Sequence, residues 1–97
     1  MKRLTIKPEA ADDIREAFDY YEDKRTGLGS EFVGALDATL DTIQRLPLAY
    51  AQVRQNARRA PLNRFPYLVI YTVEDDEIFV HACIHGKRTP RQWQRRL

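Results

Sequence analysis

YLVIYTVEDDEIFVHACIH, residues 67–85, is the stretch of sequence that decides the fold. Its two halves, residues 67–73 and 78–85, are rich in β-branched and aromatic side chains, which favour β-strands. The four acids between them, residues 74–77, fit the loop of a tight hairpin whose charges stay in water. Because side chains alternate along a strand, one face of the second strand carries four aliphatic residues, which we expect to pack against helices. They are Ile78, Val80, Ala82 and Ile84.

Hydrophobic periodicity places the other elements around this hairpin. Residues 58–62 and residues 3–7 read as short strands. Pro8 opens a helix with an apolar stripe, and this helix ends at a glycine break over residues 27–29. Residues 30–46 predict a second, longer helix that is closed by a proline. The face of the first helix opposite its apolar stripe is charged and should be exposed; it carries Asp13, Arg15, Glu16 and Asp19.

The order of elements is therefore β-α-α-β-β-β. It predicts an α+β fold, a small mostly antiparallel sheet with an N-terminal helical hairpin packed on one face. With 97 residues, 43% of them hydrophobic, the chain fits one domain over residues 1–97. It has no apolar run near the roughly 20 residues that span a membrane, and its single cysteine, Cys83, has no partner for an internal disulfide. These features favour a cytoplasmic protein.

Charge is distributed unevenly along the chain. Residues 1–50 carry seven Lys/Arg against ten Asp/Glu, whereas residues 51–97 carry nine against four. Residues 85–96 hold five cations around one tryptophan, Trp93, and no acid. Such a cluster is typical of a surface that meets an anionic partner. We expect the arginines at positions 58, 59 and 64 to lie on the same half of the molecule as this cluster.

Short motifs occur in a specific order along nearly the whole chain. They are Tyr20-Tyr21-Glu22, Gly27-Leu28-Gly29 with Phe32, Pro47 with Tyr50, Arg58-Arg59, Arg64-Phe65-Pro66-Tyr67 with Tyr71, and finally His85, Arg88, Pro90 and Trp93. Together they resemble the ParE branch of the RelE/ParE toxin superfamily. The resemblance implies the toxin of a bacterial type II toxin–antitoxin pair, neutralised by a cognate antitoxin protein, with which ParE-like members often form a heterotetramer. It implies no cofactor.

Two mechanisms exist in this superfamily, and the residues favour one of them. ParE-like members are associated with inhibition of DNA gyrase and are not nucleases, whereas RelE-like members cut mRNA on the ribosome. A RelE-like mRNA interferase would use Arg64, His85 and Arg88 as its catalytic groups. The chain lacks the tyrosine that RelE-like members present after their basic strand end, and residues 51–66 contain no lysine. We therefore expect a gyrase inhibitor, with the interferase as the alternative.

The resemblance and the charge pattern also assign surfaces. We expect the target to be bound by Arg88, Arg91, Trp93, Arg95 and Arg96, and the antitoxin by Tyr21, Phe32, Arg59 and Tyr71. Removing residues 87–97 should then abolish toxicity and leave a folded domain.

Some of these residues also fit purely structural roles. Trp93 also fits a core residue that pins the C-terminal segment to the sheet, and His85 fits a residue that orders the turn after its strand. His81, Cys83 and His85 are too widely spaced along one strand to hold a single metal ion, so we expect no metal. A third hypothesis is a non-toxic module that binds nucleic acid or an acidic peptide through the basic face.

Overall fold

The computed structural model describes residues 2–97. Its elements are β1 (Arg3–Ile6), α1 (Pro8–Lys24), α2 (Leu28–Arg45), β2 (Arg58–Pro61), β3 (Tyr67–Glu74), β4 (Glu77–His85) and a short helix α3 (Arg91–Gln94). The strands form one sheet in the order β1-β4-β3-β2, in which only β1 and β4 run parallel. The predicted α+β fold is confirmed, and α3 is an addition to the predicted order.

The turn between α1 and α2 is shorter than the sequence predicted. The break was expected over residues 27–29, but α2 already begins at Leu28, and only Gly27 has a positive φ, of 92°. The reason lies in Glu22 of α1, whose carboxylate accepts the backbone N–H groups of Gly27 and Gly29, both at 2.9 Å. This long-range cap satisfies donors that a helix start leaves free.

The main hydrophobic core lies between the two long helices and one face of the sheet. An aromatic cluster fills one end of it, where the rings of Tyr21 and Phe32 stack at 5.5 Å and both meet Phe65 edge-on. The Tyr21–Phe32 pair joins the two helices, and the pairs with Phe65 join both helices to the segment before β3. The helical hairpin is thereby held against β3 and β4.

A β-bulge in β4 divides this strand into two parts with opposite alternation. Ile70 pairs with Ala82 and Tyr71 with Val80. His81 is therefore an extra residue that is not paired with any residue of β3 in the strand register. Before the bulge, Ile78 and Val80 belong to the core under the helices, as expected. After it, Cys83 takes that side, and Ala82 and Ile84 belong to a second cluster on the opposite face. The expectation that all four aliphatic residues share a face is therefore wrong for Ala82 and Ile84.

The two ends of the sheet differ in how they are protected. Residues 51–53 cover part of β2, since the Arg59 N–H donates to Ala51 O (3.0 Å) and the Val53 N–H donates to Ala57 O (2.7 Å). The last residue of β2 is Pro61, which has no N–H to offer. Among the described residues, β1 is therefore the edge left open. No helix within residues 2–97 is long and apolar enough to cross a membrane.

Candidate functional site

A buried ion pair fastens the C-terminal segment to the bulge. Asp13 was expected on the exposed face of α1, but it is only 9% exposed. Its Oδ2 accepts a hydrogen bond from the backbone N–H of Cys83 (3.0 Å) and one from Nη1 of Arg96 (2.6 Å). The same Nη1 donates to the carbonyl of His81 at 3.0 Å. The hydrogen bonds to Asp13 raise the pKa of Arg96, and only 17% of its side chain is exposed. This arginine, expected to contact a target, is therefore tied to the fold.

Trp93 lies on the opposite face of the sheet. It is 4% exposed and forms the second hydrophobic cluster with Ala57, Ile70, Ala82 and Ile84. Burial of this size is typical of a core residue. Trp93, like Arg96, therefore holds the C-terminal segment in place.

Arginines with and without partners occupy different parts of the molecule. Four arginines outside the Asp13 pair form ion pairs with acids of α1 and α2: Arg15 with Asp12, Arg25 and Arg64 with Glu31, and Arg45 with Asp41. Five exposed arginines of β2, the loop before it and the C-terminal segment have no ion pair or side-chain hydrogen bond within residues 2–97: Arg54, Arg59, Arg88, Arg91 and Arg95. The arginines of the helical layer are thus paired with acids, whereas these five arginines of the sheet half are not.

Three of the unpaired arginines line one groove on the face of the sheet away from the helices. We call it the arginine groove: its cationic side chains are Arg54, Arg59 and Arg88, and its apolar ones include Leu68, Ile70 and Trp93. The groove has a volume of about 470 Å³, and no acid lines it. Arg59 lies here because alternation along β2 sends its neighbour Arg58 to the other face, where Arg58 donates to the carbonyl of Tyr50 at 2.7 Å.

The groups expected for an interferase are not all brought together. His85 and Arg88 line a cleft of about 200 Å³ beside α1, together with Tyr67. The Nδ1 of His85 accepts the backbone N–H of Lys87 (3.1 Å), so this histidine does order the turn after its strand. Arg64 lies elsewhere, where its guanidinium donates to Glu31 at 2.7 Å.

The four residues assigned to antitoxin binding also separate. Phe32 and Tyr71 are fully buried, and the Tyr71 hydroxyl donates to Pro47 O at 2.6 Å. Burial raises the pKa of Tyr71 to about 12. Tyr21 is half-buried between the helices and the sheet, and Arg59 is exposed in the arginine groove. Phe32 and Tyr71 thus support the fold, whereas Arg59 remains available to a partner.

A second groove runs between α2 and β2. This α2 groove has a volume of about 510 Å³, and its helical wall is lined by small and short side chains: Gly34, Ala35, Ala38, Thr39 and Thr42. Its other wall includes Tyr50 and Pro61. Small side chains let another backbone approach closely, so this wall suits a packed helix.

The described residues contain no cluster of side chains suited to binding a metal ion. No group of three or more His, Cys, Asp or Glu side chains within residues 2–97 could hold a metal ion. The thiol of Cys83 is buried, and burial raises its pKa to about 12, so it is a protonated core side chain.

Comparison with known proteins identifies the family. Residues 4–90 match the sequence model of the ParE toxin of the type II toxin–antitoxin system, parDE. Toxin ParE2 from two strains of Mycobacterium tuberculosis, CDC 1551 / Oshkosh and ATCC 25618 / H37Rv, is 31% identical over 90 residues, which cover 92% of this chain and 86% of the relative. A solved structure described as the chromosomal ParDE TA system from P. aeruginosa has the same fold, with a TM-score of 0.79 at 19% identity over 88% of this chain and 96% of that one.

The chain therefore belongs to the ParE toxin family of type II toxin–antitoxin systems, within the RelE/ParE superfamily. This confirms the resemblance seen in its motifs. Membership also implies a protein partner, the antitoxin of the pair.

Proposed function

We propose that this chain is a toxin that inhibits DNA gyrase in the cytoplasm and that a cognate antitoxin neutralises it. The observation that carries the proposal is the unneutralised basic surface: five arginines of the sheet half have no acid partner within residues 2–97. A surface of this kind favours binding to an anionic partner. Inhibition by binding needs neither a catalytic residue nor a cofactor.

The C-terminal segment supplies the proposed target contacts. Arg88, Arg91 and Arg95 are exposed and unpaired within the described chain, so their guanidinium groups are free to meet a target. Trp93, which is buried in the second cluster, and Arg96, which is paired with Asp13, position these three side chains. The target surface is thus a segment anchored at two points, which costs less ordering on binding than a free tail.

The antitoxin is proposed to dock on two other surfaces. Its amphipathic helix fits the α2 groove, where small side chains permit close packing. An extended segment of the antitoxin fits the open edge of β1 and would add a strand to the sheet. Two toxin and two antitoxin chains in one heterotetramer are the proposed assembly, and the mass of the purified complex measures it.

Pulse labelling after induction tests the target. We expect incorporation of labelled thymidine to fall within minutes, before incorporation of labelled amino acids falls. Co-expression of the neighbouring antitoxin gene should restore both. An earlier loss of amino-acid incorporation would contradict the gyrase proposal, and no loss of either would make the chain a non-toxic binding module.

Purified gyrase provides the direct measurement. We expect the wild-type protein to block supercoiling and to accumulate cleaved DNA, and the triple variant Arg88→Gln, Arg91→Gln, Arg95→Gln to lose this effect. The matched control replaces three arginines of the helical layer, Arg15, Arg25 and Arg45, by glutamine and removes the same charge. Equal loss in both variants would show that net charge alone matters.

One observation favours RNA cleavage as the second candidate. His85, Arg88 and Tyr67 line the same cleft, with the rings of His85 and Tyr67 5.5 Å apart, so a base, a cation and a phenol stand close together. If this candidate is correct, His85→Ala abolishes cleavage of ribosome-bound mRNA and retains ribosome binding. Full cleavage by His85→Ala removes the proposed base.

A further inference from the structure

The arginine groove combines cationic and apolar surface. Arg54, Arg59 and Arg88 lie beside the accessible side chains of Val53 and Leu68, and the groove contains no acid that could neutralise its guanidinium groups. Exposed arginines next to carbon-rich surface suit a ligand that carries both negative charge and apolar groups. A ligand with only one of these properties would use only part of the groove.

We propose that the arginine groove binds an acidic segment of a protein partner in which carboxylate side chains flank an apolar one. Guanidinium forks hold carboxylates through two parallel hydrogen bonds, which fixes orientation as well as adding energy. An aliphatic side chain between the two carboxylates would cover Val53 and Leu68 and leave water. This partner is defined by an apolar side chain placed between two carboxylates, and not by its negative charge alone.

A nucleic acid fits the groove less well. Proteins that hold single strands stack bases on exposed aromatic rings. The aromatic side chain of the arginine groove, Trp93, is 4% exposed, so its ring faces are already covered by the second cluster. A phosphate backbone would contact the arginines and leave the apolar surface unused.

The three arginines are carried by well-defined backbone. Arg59 is in β2, and Arg88 follows β4 in a turn where its N–H donates to His85 O at 3.0 Å. Arg54 begins a tight turn whose central residues, Gln55 and Asn56, have φ of 51° and 69°, and the Ala57 N–H closes it on Arg54 O at 2.8 Å. These values are those of the hairpin turn that normally takes Asn-Gly. Such pre-organisation lowers the entropy cost of binding.

The proposal rests on the proposed function, because Arg88 belongs both to the arginine groove and to the proposed target surface. It adds Arg54 and Arg59 to that surface and states the chemistry of the segment they recognise. Target inhibition and segment binding are separable measurements, because the second needs only the purified chain and a peptide.

Fluorescence measurements with defined probes test the proposal. A fluorescent dye on each probe reports binding through its anisotropy. The probes are a short peptide in which Asp and Glu alternate with Leu, the same peptide with Ser in place of Leu, and a single-stranded oligonucleotide of equal charge. We expect the Leu peptide to bind about tenfold more tightly than the Ser peptide.

Single substitutions locate the binding. Arg54→Gln and Arg59→Gln should each weaken the Leu peptide about tenfold. Arg15→Gln removes the same charge from the helical layer, where Arg15 pairs with Asp12, and should leave binding unchanged. Thermal unfolding of every variant confirms that each exposed substitution preserves the fold.

Four results would overturn the proposal: no binding of the Leu peptide, equal binding of the Leu and Ser peptides, an oligonucleotide that binds as tightly, or equal weakening by Arg15→Gln. Its failure is distinguishable from that of the proposed function. A chain that binds the Leu peptide but spares gyrase keeps the groove proposal and loses the gyrase proposal. A chain that inhibits gyrase but does not bind the peptide keeps the gyrase proposal and loses the groove proposal.

Discussion

The carboxylate of Asp13 and the guanidinium of Arg96 meet at 2.6 Å although 83 residues separate them. Between them lies the bulge at His81, whose carbonyl and the N–H of Cys83 are the other two groups bound by this pair. A bulge interrupts the ladder and leaves such backbone groups without strand partners. The ion pair supplies both missing partners and links helix α1, strand β4 and the C-terminal segment.

Replacing Asp13 should test how much stability this link provides. Asp13→Ala leaves the Arg96 cation and the Cys83 N–H without their acceptor, and we expect a loss of about 3 kcal/mol in the free energy of unfolding. Asp12→Ala, which breaks the neighbouring exposed pair with Arg15, should cost about 0.5 kcal/mol or less. Urea unfolding measures both. Similar losses in the two variants would contradict the structural role of Asp13.

Two adjacent arginines should behave oppositely. Arg96→Gln removes the Asp13 pair and should lower the free energy of unfolding by about 2 kcal/mol. Arg95→Gln removes an exposed side chain without a partner in the described structure and should leave stability within about 0.5 kcal/mol. If the proposed function is correct, Arg95→Gln instead weakens gyrase inhibition. Equal destabilisation by both would place Arg95 in the fold and not at the target.

Truncation of Trp93 should be costly. Trp93→Ala empties the centre of the second cluster and should destabilise the protein by about 3–5 kcal/mol, whereas Trp93→Phe should cost less because it fills more of the space. Removing residues 87–97 deletes Trp93 together with Arg96, so we now expect that truncation to unfold the domain. A cooperative thermal transition in the truncated chain would show that the second cluster is dispensable.

Two glycines of α2 provide a matched pair. A Cβ at Gly29 would lie 2.8 Å from Phe18 and 2.9 Å from Glu22 Oε1, so Gly29→Ala should destabilise the protein by about 1–3 kcal/mol. A Cβ at Gly34 meets nothing within 4 Å, so Gly34→Ala should stabilise the helix by about 0.5–1 kcal/mol. Melting temperatures measure both effects. The same sign of change at the two positions would contradict the close contact at Gly29.

Gly34 also tests the antitoxin surface. It lines the α2 groove, so the larger Gly34→Leu should fill that space and weaken antitoxin binding while gyrase inhibition continues. Titration of the purified toxin variant with antitoxin measures the affinity. Unchanged affinity would move the antitoxin away from this groove.

Stability should fall in mild acid because of His81. Burial, followed by the charge of Lys7, lowers the pKa of His81, and its Nδ1 has no hydrogen-bond partner among the described residues. Below about pH 6.5 the unfolded chain binds a proton that the folded chain resists, so the free energy of unfolding decreases until the folded pKa is reached. His81→Phe should flatten this decrease. An unchanged pH profile in His81→Phe would assign the decrease to another group.

The features that were predicted correctly from the sequence are those that local patterns determine. Alternation in residues 67–85 and the helical stripes set the order of elements, and the motifs around Arg64 and His85 indicated the family. The predicted faces of the β4 residues after position 81 were wrong, because a bulge adds one residue without changing the composition of the strand. Asp13 was placed on the exposed face because its partner, Arg96, lies at the other end of the chain. Arg54 was missed, and the unusual Gln55-Asn56 turn is recognisable only from its dihedral angles.

The uneven charge of the two halves of the chain has a kinetic consequence. Residues 1–50 have three more acids than bases, residues 51–97 have five more bases than acids, and the second half carries the five unpaired arginines described above. A molecule with such a dipole turns as it approaches an anionic partner, so that encounters begin with the basic face forward. The association rate should therefore fall as ionic strength rises, while the dissociation rate, which depends on short-range contacts, changes little.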